Sequence, residues 1–361
     1  MKIAYINPTT IMRRPIVELA TILSKNNDIT VFSPITLFNK KLNTHYSFSK
    51  KINISNYRTI NLVKSMEWPI PISPLFFVKI NNLFRNNDVV HMWTYSYIVN
   101  FVALFFSKIY KTKLILTYDT VPGISISVGK FDFAYKIFYK LFSKFIFHNP
   151  YAVTVYGKSI KKISKKLTNR EIKIIPTGTN IELKSTKSIR KEFGIGRKPV
   201  ILFIGRISEI KGIDIFINVA KNKKFKDYIF IAVGSNLNKN IYNKYTKDLP
   251  KNVIFTGSRS DVYNFYSEAN LFFLPSKGEG MPGVIMEAMK FGLPIVTSNV
   301  PGTKDLVKKD FAITNKNYSD SIHKILTNKK LVLKMSNAAK KESKKYSWDV
   351  LSKKYYELYS N

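Results

Sequence analysis

Residues 271–299 read LFFLPSKGEGMPGVIMEAMKFGLPIVTSN, which predicts a buried strand, a loop, a helix and a second strand. Pro282 suits a first helical turn, whose N–H groups have no partner within the helix. Gly292 suits the C-terminal end of that helix, just before Pro294. Both halves of the chain repeat this alternation of strand and helix, which favours parallel sheets built from β-α-β units.

Two glutamates in this stretch lie where ligands of parallel sheets collect. Glu279 follows the first strand at its carboxyl end, and Glu287 lies about one turn inside the helix. A helix N-terminus at this edge offers free N–H groups to a phosphate, and carboxylates accept hydrogen bonds from vicinal hydroxyls. Taken alone, Glu279 would be better explained as a helix cap and Glu287 as a solvated surface residue. Together they predict a nucleotide-sugar site.

The segment resembles the signature of the retaining GT-B glycosyltransferases of family 4, in which Glu-Gly-Phe-Gly/Pro precedes Glu-Ala-Met-Ala and Gly-x-Pro-Val. Here a methionine takes the place of the usual aromatic residue. The resemblance implies an α/β fold of GT-B type, two Rossmann-like domains whose parallel sheets face each other across a cleft that holds the active site. It also implies that Glu279 contacts the donor sugar and that Glu287 contacts the ribose. The full set of implied donor contacts is Glu279, Gly280, Met281, Pro282, Gly283 and Glu287.

A second motif, ILFIGRISEIKGIDIFINVA, occupies residues 201–220. Gly205 allows a sharp turn after a strand, and the cations Arg206 and Lys211 can clamp a diphosphate at its carboxyl edge. Alone, this pattern would equally suit a basic surface turn. It resembles the Gly-Arg-Leu-x-x-x-Lys-Gly element of the same family, which implies that Gly205 contacts the donor. Catalysis is then assigned to Arg206, Lys211 and Glu279, without a bound metal and without a separate carboxylate nucleophile.

Weaker matches add candidates elsewhere. Residues 253–276 resemble the segment that precedes the glutamate motif, which implies that Arg259 lies near the nucleotide base. In the first half, the loop at residues 7–15 lacks the glycines that the family often carries there and offers Arg13 and Arg14 instead, although a surface pair would look the same.

The family tends to place a sugar-contacting histidine where this chain has Tyr118 and Asp119. Tyr118, Asp119, Arg13 and Arg14 are therefore candidate contacts to the acceptor or the donor sugar. His91, on the preceding strand, is interpreted as a core histidine.

The predicted domains are residues 1–182, which would bind the acceptor, and residues 190–344, which would bind the sugar nucleotide. A polar stretch at 183–190 is the predicted linker. The resemblance implies that a last helix, at about 345–361, packs back on the first domain.

The charge of the chain is strongly positive, with 59 Lys and Arg against 23 Asp and Glu in 361 residues, a net charge of +36. This balance implies an anionic partner, which could be a phosphorylated ligand, a membrane surface or nucleic acid. The absence of cysteine excludes disulfides, and four scattered histidines do not suggest a metal site. The longest apolar run, residues 97–106, is too short to span a bilayer, so a soluble or peripheral protein is expected.

Residues 130–148 alternate lysines with large aromatic residues at helical spacing. The helix would either pack its aromatic side chains inward or lie on anionic lipid headgroups.

The sequence thus predicts a retaining hexosyltransferase that uses a UDP- or GDP-linked sugar. The expected acceptor is a lipid-linked sugar or glycan precursor, and the expected location is the cytoplasm, peripheral on the inner face of the cell membrane. Another GT-B enzyme, such as an epimerase or a phosphorylase, is the alternative. A nucleic-acid-binding protein is a further alternative that rests on charge alone, and no nucleic-acid partner is expected.

Overall fold

The computed structural model divides the chain into two compact units, residues 1–178 with 348–361, and residues 179–347. It describes the following ranges: 1–36, 48–61, 69–94, 97–120, 132–169, 171–183, 187–236 and 239–361. Residues 130–131 of the aromatic and lysine-rich segment and residues 184–186 of the predicted linker lie outside the described part.

The strands of the described residues form one sheet in each unit. In the first unit they are β1 Lys2–Ile6, β2 Asp28–Thr36, β3 Ile52–Asn61, β4 Pro69–Pro71, β5 Val89–Trp93, β6 Lys113–Tyr118, β7 Ala152–Val155 and β8 Ile172–Ile174. In the second unit they are β9 Val200–Ile204, β10 Ile229–Val233, β11 Val253–Gly257, β12 Leu271–Leu274, β13 Ile295–Thr297 and β14 Ala312–Thr314.

The helices that precede β8 in the first unit are α1 Arg14–Leu23, α2 Leu75–Asn86, α3 Ile98–Tyr110, α4 Asp132–His148 and α5 Lys158–Ser164. Those of the second unit are α6 Ile189–Glu192, α7 Ile213–Ala220, α8 Lys239–Thr246, α9 Val262–Glu268, α10 Gly283–Phe291, α11 Pro301–Leu306, α12 Tyr318–Leu326 and α13 Lys329–Ser343. The chain then returns to the first unit with α14 Trp348–Ser360.

The sheet of the first unit has the order β4-β3-β2-β1-β5-β6-β7-β8, and its pairs are parallel except β3 with β4. Helix α14 lies against this unit, with contacts to α1. Trp348 at its start is fully buried, and the Tyr359 hydroxyl near its end lies 2.6 Å from Nδ1 of His91 on β5.

The sheet of the second unit has the order β11-β10-β9-β12-β13-β14 and is parallel throughout. All five residues of β9 are buried, as expected of a central strand that is covered by helices on both faces. Because every strand runs the same way, the loops that carry the two sequence motifs leave the sheet at the same edge.

Candidate donor site

The two motifs follow neighbouring strands. β9 ends just before Gly205 and Arg206, and β12 ends just before the loop that carries Glu279. The strands pair directly, with Leu271 opposite Ile201. The carboxyl ends of adjacent parallel strands therefore bring the basic loop and the glutamate loop together, where ligands of such sheets bind.

Lys211 and Glu279 form the central contact of this edge. The Lys211 ammonium donates to both carboxylate oxygens of Glu279, at 2.7 Å each. The Ser276 hydroxyl donates to Oε1 of the same carboxylate at 2.7 Å. Glu279 is 4% exposed, so the carboxylate is desolvated but held in one orientation by three hydrogen bonds.

Two glycines let the backbones of this edge pack closely. Gly212 has φ +73°, and a Cβ there would lie 2.1 Å from the carbonyl oxygen of Pro275. A Cβ on Gly302, in α11, would lie 2.3 Å from the carbonyl oxygen of Gly280 and 2.6 Å from that of Glu279. Any side chain at either position would displace the loop on which Glu279 lies.

Arg206 differs from Lys211 in its surroundings. Its side chain is exposed at the end of β9, and it forms no ion pair with any residue that the structure describes. The guanidinium is thus available to a ligand at the same edge as the Lys211–Glu279 pair.

Helix α10 begins at Gly283, with Pro282 as its N-terminal cap, and ends at Phe291. Gly292 follows as the C-terminal cap, and its φ of +75° is typical of a glycine in that place. Gly280, Met281 and Gly283 are partly buried, whereas Pro282 is buried. These residues line the turn between Glu279 and the first helical amides.

Glu287 lies on the buried face of α10 and is 2% exposed. The hydroxyl of Tyr266, on α9, donates to its Oε2 at 2.7 Å. The carboxylate is therefore fixed by a neighbouring helix, and the ribose contact predicted from the sequence stays a prediction.

Arg259 is occupied by carboxylates. It donates to both oxygens of Asp261 at 2.8 Å and to the two oxygens of Glu192 at 2.7 and 3.0 Å. Its guanidinium also lies 5.3 Å from the centre of the Phe265 ring. The hydrogen bonds from Arg259 lower the pKa of Asp261 to about 2. Four of the five N–H groups are engaged, which favours a structural role over the predicted contact with the base.

Of the four candidates in the first unit, two pair with each other and two do not join them. Arg13 pairs with Asp119, which brings together the loops after β1 and β6, and Arg14 binds Glu18 at 3.0 Å one helical turn away. Tyr118 is 1% exposed and packs edge-to-face on Phe147. Such burial argues against the predicted sugar contact of Tyr118.

His91 is a core residue, as the sequence predicted. Its Nε2 lies 2.6 Å from the Thr117 hydroxyl, its Nδ1 bonds the Tyr359 hydroxyl, and its ring stacks on Trp93 at 3.8 Å. Burial lowers the pKa of His91 well below its ordinary value, so the ring is neutral in the core.

Within the described ranges, no group of three or more His, Asp and Glu side chains could hold a metal ion. Over the same ranges, no helix is both long enough and apolar enough to cross a membrane.

Part of the chain that contains this edge is similar to known proteins. Residues 185–342 match the model of the family described as glycosyl transferases group 1. The chain is similar to the UDP-Gal:alpha-D-GlcNAc-diphosphoundecaprenol alpha-1,3-galactosyltransferase of Escherichia coli, with 34% identity over 154 residues, 39% of this chain and 40% of that protein. The N,N'-diacetylbacillosaminyl-diphospho-undecaprenol alpha-1,3-N-acetylgalactosaminyltransferase of Campylobacter jejuni is 26% identical over 62% of each chain. The chain thus spans less than two thirds of either relative.

The fold extends the likeness to the whole chain. The structure of Anabaena HepE in complex with UDP and glucose superposes with a TM-score of 0.77, over 100% of this chain and 99% of that chain, at 17% identity. At this identity the likeness shows the fold alone, and it confirms the predicted α/β fold of GT-B type. The family match covers residues 185–342, and this segment contains both the basic motif and the glutamate motif.

Proposed function

We propose that the protein is a retaining glycosyltransferase of the family 4 type, which transfers a hexose from a nucleoside diphosphate. The observation that carries this proposal is the convergence of Arg206, Lys211 and Glu279 at one edge of the second sheet. The family match of residues 185–342 supports it, as do the sugar-transfer activities named for the relatives.

In this proposal the two cations stabilise the departing diphosphate. The Lys211 ammonium has three N–H groups, of which two donate to Glu279 in the described structure, so one is left for a phosphate oxygen. The exposed guanidinium of Arg206 supplies a bidentate contact. Charge that develops on the leaving group is thereby neutralised by groups already in position, and such stabilisation is the main source of rate acceleration in many enzymes. A divalent metal is not required for this task.

Glu279 is suited to hold the donor sugar rather than to attack it. Its carboxylate accepts hydrogen bonds from Lys211 and Ser276, which lower its nucleophilicity while leaving acceptor capacity for a sugar hydroxyl. A carboxylate in this state supports a front-face mechanism, in which the acceptor attacks from the side that the diphosphate leaves. The alpha linkages named for both relatives are consistent with retention from an α-linked donor.

The proposed donor is a UDP- or GDP-linked sugar. The UDP form is supported by HepE, which was solved with UDP and glucose, and by the relative named for UDP-Gal. The proposed acceptor is a lipid-linked sugar or glycan precursor at the cytoplasmic membrane face, since the names of both relatives specify diphosphoundecaprenol-linked substrates. The first unit would bind this acceptor.

A metal-free transfer assay tests the proposal. The protein is incubated with UDP- and GDP-sugars and a polyprenyl-diphosphate-linked sugar, and the products are separated and examined by NMR. We expect a lengthened lipid-linked glycan with an α-linkage. A nucleotide sugar that is not cleaved but whose sugar has changed configuration would indicate an epimerase. A sugar phosphate formed from inorganic phosphate would indicate a phosphorylase.

A further inference from the structure

The outward face of α4 carries a row of large apolar side chains. They recur at every fourth position, so they lie on one side of the helix. Their exposed fractions are 72% for Phe133, 43% for Ile137, 66% for Leu141 and 46% for Phe145. We call these four residues the apolar row. Exposure of four such side chains in line is unusual for a surface that faces only water.

A row of lysines runs beside the apolar row. Lys136, Lys140 and Lys144 have the same four-residue spacing and are all exposed. We call them the lysine row. The only acidic residue of α4 is Asp132, at its first position. The two rows give one surface that is apolar along one line and positively charged along the next.

Helix α3 extends this surface. Phe105 and Ile109, 61% and 53% exposed, lie one turn apart on it. Phe101 stacks on Phe145 of the apolar row at 6.5 Å between ring centres. The Lys108 ammonium lies 5.7 Å from the centre of the same Phe145 ring. The apolar and basic character is therefore shared by two helices in contact.

Packing within the unit leaves each side chain of the apolar row at least 43% exposed. The opposite side of α4 carries Tyr139, Ile146 and Phe147, which are buried in the core of the unit. A helix on the surface of a globular unit needs one apolar face only. A second apolar face on the outward side requires a partner.

We propose that the outward surface of α3 and α4 binds an anionic lipid bilayer. The apolar row would enter the boundary between headgroups and acyl chains, and the lysine row would lie at the level of the lipid phosphates. Charge selects this partner over a second copy of the chain, because two copies would bring lysine rows together with no acidic side chain on α3 and only Asp132 on α4. The proposal deepens the proposed function and rests on it for the lipid-linked acceptor.

Sedimentation with vesicles tests the charge requirement. Wild-type protein is mixed with vesicles of phosphatidylcholine alone or with added phosphatidylglycerol. We expect binding to the anionic vesicles that weakens at high salt. Changing the three lysines of the lysine row to Gln should weaken it on the order of 100-fold, because each lysine near an anionic surface contributes about fivefold. The matched control changes three exposed lysines of α13 to Gln: Lys329, Lys330 and Lys334.

A pair of leucines tests the apolar requirement. Leu141→Ser removes a side chain of the apolar row that is 66% exposed, and Leu333→Ser removes one on α13 that is 65% exposed. The first should weaken vesicle binding about tenfold, and the second should leave it unchanged. The proposal would be overturned if the lysine-row variant or Leu141→Ser weakened vesicle binding no more than its control on α13. It would also be overturned if wild-type binding did not depend on anionic lipid.

Nucleotide binding distinguishes this proposal from the proposed function. All four variants should keep the thermal stabilisation that UDP or GDP gives to the wild type, which also shows that they are folded. If no nucleotide stabilises the wild type while vesicle binding behaves as described, the proposed function fails and the membrane surface stands. If the surface instead mediates dimers that dissociate in Leu141→Ser, the membrane proposal is wrong.

Discussion

Lys211 and Glu279, separated by 68 positions in the sequence, are joined by two hydrogen bonds of 2.7 Å. Each residue belongs to a different motif, and each follows a different strand of one parallel sheet. The pair thus fixes the distance between the group proposed to hold the diphosphate and the group proposed to hold the sugar. Such orientation before the ligand arrives is what makes electrostatic stabilisation effective.

Arg206→Ala and Lys211→Ala should both lose activity, but only Lys211→Ala should make the folded protein less stable than wild type. Each should lower kcat on the order of 100-fold or more, because each removes a charge from the leaving group. Lys211→Ala should also lower the free energy of unfolding by about 1–3 kcal/mol, since it leaves the buried Glu279 carboxylate without its ion-pair partner. Arg206→Ala, on an exposed side chain, should leave stability unchanged. Denaturant unfolding and turnover assays measure both effects.

The double variant Lys211→Ala with Glu279→Gln provides the control. Because the amide carries no charge, the double variant should recover most of the stability lost in Lys211→Ala but none of the activity. Equal stability losses in the single and double variants would show that the ion pair is not the cause.

Ser276→Ala should lower kcat about tenfold and leave the affinity for UDP or GDP unchanged. Ser276 is a positioning residue, because its hydroxyl acts on the sugar only through the orientation of Glu279, and a hydrogen bond to a charged group contributes about 1.5 kcal/mol. Ser343→Ala, which removes an exposed hydrogen bond to the Lys340 carbonyl at the end of α13, is the control and should behave as wild type. A fall in nucleotide affinity without a change in kcat would contradict this role.

Gly302→Ala should reduce activity more than about tenfold, although alanine suits a helix. Its Cβ would lie 2.3 Å from the Gly280 carbonyl oxygen, so the glutamate loop must move. Overpacking of this kind costs about 1–3 kcal/mol of stability. Lys304→Ala changes an exposed residue of the same helix and should change neither property. Wild-type kcat in Gly302→Ala would show that the close approach does not position the loop.

Acid should remove the contribution of Asp261 to stability. Its pKa is about 2 in the folded protein and 3.8 without its partners, so the carboxylate stabilises the fold above about pH 4. That contribution is lost as the pH falls through about 2. Near neutral pH, the free energy of unfolding should be about 1 kcal/mol higher for wild type than for Asp261→Asn. The difference is small because the pair of Arg259 and Asp261 is partly exposed and screened by solvent. A difference in unfolding free energy that stays constant down to about pH 2 would contradict this assignment.

The sequence was most informative in the second unit, because there each motif spans a strand end, the loop after it and the next helix. The apolar runs at β9 and β12 predict the strands, and their parallel pairing brings the loops of Arg206 and Glu279 to the same edge of the sheet. The side-chain hydrogen-bond partners of the site residues could not be predicted, because bonds such as Tyr266 to Glu287 depend on how α9 packs on α10. The close approach of Gly302 to the Glu279 loop was likewise hidden, since spacing does not encode backbone contact.

The first unit was harder to predict. β3 contains Asn53, Ser55, Asn56 and Arg58, a polar composition that is tolerated because the strand lies near the sheet edge. Tyr118 and Asp119 are adjacent in sequence, yet consecutive residues at a strand end point to opposite faces, so one is buried and the other meets Arg13. For residues 130–148 the sequence left inward packing and lipid binding as alternatives, whereas α4 has both a buried apolar face and the outward apolar row.

The most direct test of the donor site is calorimetric titration of UDP and GDP, without metal, into wild type, Arg206→Ala and Arg197→Ala. Arg197 is an exposed arginine of the same unit that lies in neither motif. We predict that one nucleotide binds the wild type and Arg197→Ala equally, and that Arg206→Ala weakens this binding at least about tenfold, as expected for a lost charge-assisted contact. Absence of binding by both nucleotides, or equal binding by all three proteins, would contradict the account.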